Sequence, residues 1–372
     1  MSDENTIYQR PVELMQNLIR FDTTNPPGNE ADCVAYIARL LASVGIESAQ
    51  YSSVEGRPNL VARLTGSGNA PPLLLQGHVD VVTTEGQDWT YPPFAAEIHD
   101  GMVWGRGTID MKHGVAMMLA AFMRAKVENL TLPGDVILCI LADEEAAGTH
   151  GAKYMVEHQA ELFEGARYGI GETGGYSIYM DDRVIYPLQV AEKHNCWTRI
   201  TLSGPGGHGA RPLRSPEAAT AKLGKLLTAL NTHRLPVHIT EPARLMIEAF
   251  ADVLAEPSAS ALRALLDPQK TDATLDAMGP LSGLFDAILH NTVSPNVIRG
   301  GGKTNVIPSQ IHVELDGRLV PGQTPEDFIA EVRALTGVDF DYEIINTSAS
   351  APDPDMGLFD TLSDILKEAD PD

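Results

Sequence analysis

Basic residues are scarce in this chain. Lys and Arg total 27 against 50 Asp and Glu over 372 residues, a formal net charge of −23. Nucleic acid and anionic membrane surfaces both require a basic face, so that balance excludes them as partners. It also means that an anionic substrate needs local cationic help, from a metal or an arginine. Cysteine is rarer still. Cys33, Cys139 and Cys196 are scattered and form no C-x-x-C, which excludes a disulfide framework. Long apolar runs are missing too: "VAMMLAAFM" is the longest candidate and is half of a membrane span. The opening "MSDENTIYQRPVEL" has neither a basic nor an apolar leader region, so no signal peptide is expected. The expected compartment is reducing and cytoplasmic. H-E-x-x-H and G-x-S-x-G are absent, which removes a thermolysin-like site and a serine hydrolase elbow. "GGGKTN" fails as a phosphate loop because Val297 stands where its first glycine should be.

What is present suits two globular domains. The apolar fraction is 43% and charge is spread along the chain. Val12, Met15, Leu18 and Ile19 fall on one face of an expected helix. A loop, "TTNPPGNE", precedes a helix over about 31–44 that Gly45 ends. Strands at about 59–64, 72–77, 135–142 and 167–171 alternate with helices at about 112–126 and 149–163, a pattern for a mainly parallel sheet in an α/β domain. After residue 190 the texture changes. "CWTRITLSG" and "SQIHVELDGR" alternate like half-exposed antiparallel strands, with Ile311, Val313 and Leu315 on one face. This predicts a smaller α+β domain over 193–346, inserted between 1–192 and 347–372. Residues 236–290 are helical in composition, with no further assignment.

The chemistry begins at "LLLQGHVDVV", where an apolar strand breaks into His78 and Asp80. Residues two apart in a strand project together, and an imidazole beside a carboxylate suits a metal ligand with its supporting group. Three more polar clusters lie at the ends of the expected strands: "GRGTIDMKHG", "ADEEAAG" and "GETGG". Ligands of a parallel α/β sheet bind at the carboxyl ends of its strands. The clusters bring His78, Asp80, Asp110, Glu144, Glu145 and Glu172 to one end of one sheet. So many carboxylates repel one another without a cation. One imidazole with several carboxylates suits zinc, cobalt or manganese better than calcium.

This set resembles the dimetal aminoacylase and carboxypeptidase family, which includes acetylornithine deacetylase, succinyl-diaminopimelate desuccinylase, carboxypeptidase G and carboxypeptidase S. The resemblance runs from about residue 11 to the end. It implies a zinc-peptidase-like catalytic domain, an inserted ferredoxin-like dimerisation and lid domain, and a homodimer. It further implies two Zn2+ per subunit, with Co2+ or Mn2+ as substitutes. His78 and Glu172 would bind one metal, Glu145 the other, and Asp110 would bridge them, with a cis peptide after Asp110. Asp80 would orient His78 and Glu144 would act as general base. "GPGGHGARP" resembles the motif whose histidine, here His208, stabilises the oxyanion in the partner subunit's site. "KTNVIPSQIHVELDGRLVPG" resembles the segment that binds substrate, through Asn305 and Arg318. His113 stands where the family often has glycine, and is read as an exposed residue near a helix start.

The implied reaction is hydrolysis of an N-acyl amino acid by a water held between the metals. A dipeptidase or carboxypeptidase on the same site is the near alternative. A metal-poor, non-catalytic relative is the alternative of another class. The resemblance also implies a last histidine ligand after a glycine-rich loop, whereas here no histidine follows His312 and the sequence ends "DTLSDILKEADPD". The chain is therefore expected to be short of that portion, to bind about one metal tightly and to hydrolyse poorly or not at all, so an inactive truncated fragment stands beside the non-catalytic relative as an alternative.

Overall fold

The computed structural model describes residues 4–180, 182–350 and 354–371. The chain divides into two compact units, 1–173 and 174–372.

The first unit runs α1 (Pro11–Ile19), α2 (Ala31–Ser43), β1 (Ser48–Tyr51), β2 (Asn59–Leu64), β3 (Leu73–His78), β4 (Glu97–His99), β5 (Met102–Trp104), α3 (Lys112–Val127), β6 (Val136–Leu141), α4 (Ala152–His158) and β7 (Tyr168–Ile170). Its main sheet has the order β1-β2-β6-β3-β7. The sheet is mixed: β3 pairs in parallel with β6 and β7, while β1–β2 and β2–β6 are antiparallel. Alternate residues of the strands feed two separate cores, because successive side chains leave a strand on opposite faces. Leu60, Leu138 and Ile140 pack with α1, α2 and α3, whereas Val61, Ile137, Cys139 and Leu141 pack with Met155 of α4. That double coverage explains why "VILCIL" is apolar throughout. Cys139 is one of its fillers, and burial pushes its thiol up to about 12.

Two expectations change here. The buried face of α1 is Leu14, Leu18 and Ile19, and Val12 points to solvent at 51% exposure. Leu14 and Leu18, four apart, set the helix's rotation. The helix expected over 149–163 is broken into α4 and a single 3-10 turn, Ala160–Phe163. Gly77 lets α3 approach the sheet, since a Cβ there would lie 2.8 Å from Met111 Cε and 3.0 Å from Val115 Cγ2.

The second unit runs β8 (Ile178–Met180), β9 (Arg183–Ile185), β10 (His194–Ser203), β11 (Gly207–His208), α5 (Ala219–Thr232), α6 (Glu241–Val253), α7 (Ser258–Ala264), α8 (Thr271–Met278), α9 (Ser282–Leu289), β12 (Thr292–Gly300), β13 (Val306–Ile307), β14 (Gln310–Leu319), α10 (Pro325–Thr336), β15 (Asp341–Thr347) and α11 (Phe359–Ala369). Its four-stranded antiparallel sheet has the order β12-β14-β10-β15. Ile311, Val313 and Leu315 of β14 are buried with Leu226 and Leu230 of α5 and Phe328, Ile329 and Val332 of α10. The opposite face is polar and half open, as the strict alternation requires. Residues 241–289 form four helices with a core of their own around Ile247, Phe250, Leu275 and Phe285, into which Met180 of the β8–β9 hairpin inserts. Among the described residues no helix is long and apolar enough to cross a membrane.

Candidate metal centre

His78 is the last residue of β3 and is 2% exposed. Glu144 and Glu145 follow β6, and Glu172 follows β7 by two residues. Asp110 precedes α3, and its peptide with Met111 is cis, as the resemblance implies. These positions are the carboxyl ends of the parallel strands and the start of the helix that packs beside them. Three of the groups, His78, Asp110 and Glu172, place ligand atoms within 4.8 Å of one another.

The imidazole has two distinct sides. Nε2 lies 3.0 Å from Asp110 Oδ1, and 3.9 Å from both Glu144 Oε2 and Glu172 Oε2. Nδ1 lies 3.0 Å from the Asp80 carbonyl oxygen and 3.3 Å from Asp80 Oδ1. A ring held at Nδ1 presents Nε2 to the three carboxylates. Asp80, wholly buried, also accepts the backbone N–H groups of Glu144 and Glu145, each at 3.1 Å. The carboxylate that steadies the histidine therefore also fixes the turn carrying the two glutamates.

The electrostatics of this cluster are those of crowded anions around one imidazole. Burial disfavours a charged His78 ring, but hydrogen bonds to Asp110 and Asp80 outweigh it and push the ring up to about 10. Asp110 is held below the usual carboxylate range by its hydrogen bond to His78. Burial and the neighbouring Asp110 push Glu145 up to about 7, and the same two causes raise Glu172. Such groups gain most from a shared cation, which replaces mutual repulsion with attraction. One imidazole nitrogen with carboxylate oxygens is a donor set that fits zinc, cobalt or manganese. Glu145 lies outside the compact group of three; its side chain is half-buried.

The second unit holds the other residues singled out from the sequence. His208 and Asn305 are brought together, because β11 pairs with β13 and the Gly209 N–H donates to the Asn305 carbonyl at 2.8 Å. His208 is exposed, and its Nδ1 accepts the Ala210 N–H at 3.2 Å. Arg318 lies on the open face of β14, donating from Nε to Asp316 Oδ1 at 2.8 Å and from Nη2 to Asp316 Oδ2 at 3.3 Å. His113 departs from expectation. It is half-buried, its Nδ1 is buried with no hydrogen-bond partner, and burial lowers its pKa. Its place on the first turn of α3, the helix packed against the sheet, turns part of the ring inward.

Sequence reasoning missed several groups around this centre. Lys112 is fully buried and donates from Nζ to the Phe21 carbonyl at 2.8 Å. Asn25, Arg57 and Asp143 are also buried and join the hydrogen bonding behind Asp80. The "NPPG" turn was the one visible signal for Asn25. Arg57 carries none, since its partners Glu30 and Asp143 lie 27 and 86 residues away.

The family model described as peptidase family M20/M25/M40 matches residues 74–370, and the chain belongs to that family of metal-dependent peptidases. Among curated proteins, a succinyl-diaminopimelate desuccinylase of Paracoccus denitrificans is 33% identical over 206 residues, covering 55% of this chain and 52% of that protein. A second, from Cereibacter sphaeroides, is 31% identical over 226 residues, covering 60% and 57%. The chain thus spans about half the length of the curated relatives it matches. Among solved structures, an M20 family metallo-carboxypeptidase from Sulfolobus solfataricus aligns over 96% of this chain and 83% of its own, with a TM-score of 0.62 and 18% identity. The aminopeptidase PepT of Bacillus cereus aligns over 98% and 82%, with a TM-score of 0.61 and 16% identity. At such identities the likeness is one of fold.

Proposed function

We propose that the chain is a metal-dependent amidohydrolase that releases an amino acid from an N-acyl amino acid. The observation that carries this reading is the convergence of His78, Asp110 and Glu172 at the carboxyl ends of the parallel strands. In this reading His78, Asp110 and Glu172 would hold one cation, and Asp110 with Glu145 would be the residues offered to a second. A cation there would supply Lewis acidity toward the substrate carbonyl and toward water. Glu144, 3.9 Å from His78 Nε2 and more than half exposed, is assigned the proton of the attacking water. It then returns that proton to the leaving amine. Asp80 holds the ring at Nδ1, so that Nε2 is turned toward the cluster. His208 is assigned the developing oxyanion, in the other subunit of a homodimer, and Asn305 and Arg318 the substrate carboxylate. The functional division that goes with this reading is a catalytic part at 1–192 and 347–372 with 193–346 inserted between. All metal-site residues come from the first part, and the four-stranded sheet begins at His194.

The desuccinylase relatives favour an N-succinyl substrate as the first to try. The test is a panel of N-succinyl, N-acetyl and N-long-acyl amino acids beside dipeptides, with Zn2+ or Co2+ added to chelator-treated protein. Metal-restored release of the amino acid from an N-acyl substrate is the expected result. Cleavage of dipeptides alone would make the chain a peptidase. A chain that neither binds metal nor hydrolyses any of the panel would be a non-catalytic relative.

A further inference from the structure

Behind the metal cluster lies a chain of buried hydrogen bonds that the reaction itself does not use. Asn25 is 4% exposed. Its Nδ2 carries two hydrogens, and both are spent on carboxylates: Asp80 Oδ2 at 2.8 Å and Asp143 Oδ1 at 3.1 Å. Asn25 is itself fixed against the strand that ends in the site. Its backbone N–H donates to the Val81 carbonyl at 2.9 Å, Val81 N–H donates to Thr23 at 3.1 Å, and Thr23 Oγ1 donates to the Val79 carbonyl at 2.5 Å. Residues 23–25 thereby run beside 79–81 as a short parallel partner.

Asp143 stands at the other end of the bridge. It has a left-handed backbone, φ 65°, and immediately precedes Glu144 and Glu145. Its Oδ2 accepts the His150 N–H at 2.9 Å, and its Oδ1 accepts Arg57 Nη1 at 2.8 Å. Arg57 in turn grips Glu30 with its two remaining nitrogens, Nε at 3.1 Å and Nη2 at 2.6 Å. The guanidinium reaches this position by lying over Gly28, where a Cβ would sit 2.2 Å from Nε. Asp80 and Asp143 are two buried anions close enough to share one amide. A neutral donor to both satisfies them without adding charge, and sets the distance between them.

We infer that Asn25 is a positioning residue. It ties the carboxylate that holds the His78 ring to the carboxylate that shapes the Glu144–Glu145 turn, so the metal ligand and the proposed base are set against each other as one unit. Arg57 and Glu30 anchor the far end. The inference rests on the reading that His78 binds a metal. Its loss should act through the supporting shell of a metal ligand, where removal of a partner costs about 10- to 100-fold in affinity.

The test is a Co2+ titration of chelator-treated protein, followed by visible absorption, on the wild-type chain, Asn25→Ala and Asn25→Ser. The metal-free melting temperature of each is measured alongside. The serine variant opens a smaller void and serves if the alanine variant does not fold. The expected result is a dissociation constant about 10- to 100-fold weaker in folded variants, with an altered absorption band. Arg57→Lys, which keeps the charge but not the fork, should shift it less. Variants that fold and bind Co2+ within twofold of wild type would overturn the inference alone, even with a lowered melting temperature. Loss of the fold in both variants would make Asn25 structural and also count against it. A wild-type chain that takes up no Co2+ would overturn the functional reading, and this inference with it.

Discussion

Glu144 and Asp80 illustrate how differently two carboxylates of one site depend on their surroundings. Asp80 is wholly buried and spends its lone pairs on His78, Asn25 and two backbone N–H groups. Glu144 is more than half exposed and faces the cluster across 3.9 Å. Glu144→Gln should therefore lower turnover by about 100- to 10,000-fold, the range for loss of a general base, with metal content measured by atomic absorption nearly unchanged. Equal loss of metal and activity would make Glu144 a ligand instead. Arg318 is a different case, an arginine already paired with Asp316 on an open sheet face. Arg318→Ala should raise KM about 10- to 100-fold for substrates with a free carboxylate, as loss of a charge-assisted hydrogen bond does. An equal rise for the methyl ester would show that Arg318 grips some other group. The proximity of His78, Asp80, Asp110, Glu144 and Glu172 was legible because their short polar motifs stand at strand ends or at the start of a helix. Asn25 and Arg57 were not, because long-range partners give them meaning and nothing nearby in the chain hints at those partners.

At the scale of elements, strands and helices with one clean burial pattern were readable and the rest were not. β10 and β14 alternate strictly and were placed within a few residues. β1 escaped notice because "SAQY" has only half-buried and exposed positions, so its place at the sheet edge rests on pairing with β2 alone. The helices α6 to α9 were visible only as composition, since short helices that pack on one another share a core no single one defines. One lysine secures that helical segment. Lys193 Nζ donates to the carbonyls of Ala287 and His290, each at 2.9 Å, and to Thr292 Oγ1 at 3.0 Å, so it caps the end of α9. Burial lowers its pKa to about 8. The folded state thus releases this proton at lower pH than the unfolded chain, whose lysine titrates at about 10.4. Between those values the unfolded state binds more protons, so stability rises with pH. Relative to Lys193→Gln, wild type should gain in melting temperature as pH is raised from 8 toward 10. A difference that stays constant across that range would contradict the assignment.

Taken as a whole molecule, the chain carries a net charge of −23 and gathers several of its carboxylates around one buried imidazole. A fold that concentrates like charges at the ends of its parallel strands is built to be completed by a cation, and family membership agrees with that. A doubly covered sheet and a half-open one need different residue patterns, and the texture changes after residue 190, just before the half-open sheet begins at His194; the two compact units themselves divide at 173. Their separate sheets bear the same difference. The measurement that bears most directly on the metal centre is a calorimetric Zn2+ titration of chelator-treated wild-type chain beside His78→Ala and Glu172→Gln. Wild type should bind Zn2+ tightly, with affinity falling at least about 100-fold in His78→Ala, since a catalytic zinc normally needs three protein ligands. Glu172→Gln should fall in the same direction. Superimposable isotherms for wild type and His78→Ala, or no heat of binding in wild type, would contradict a metal centre at the carboxyl ends of these strands.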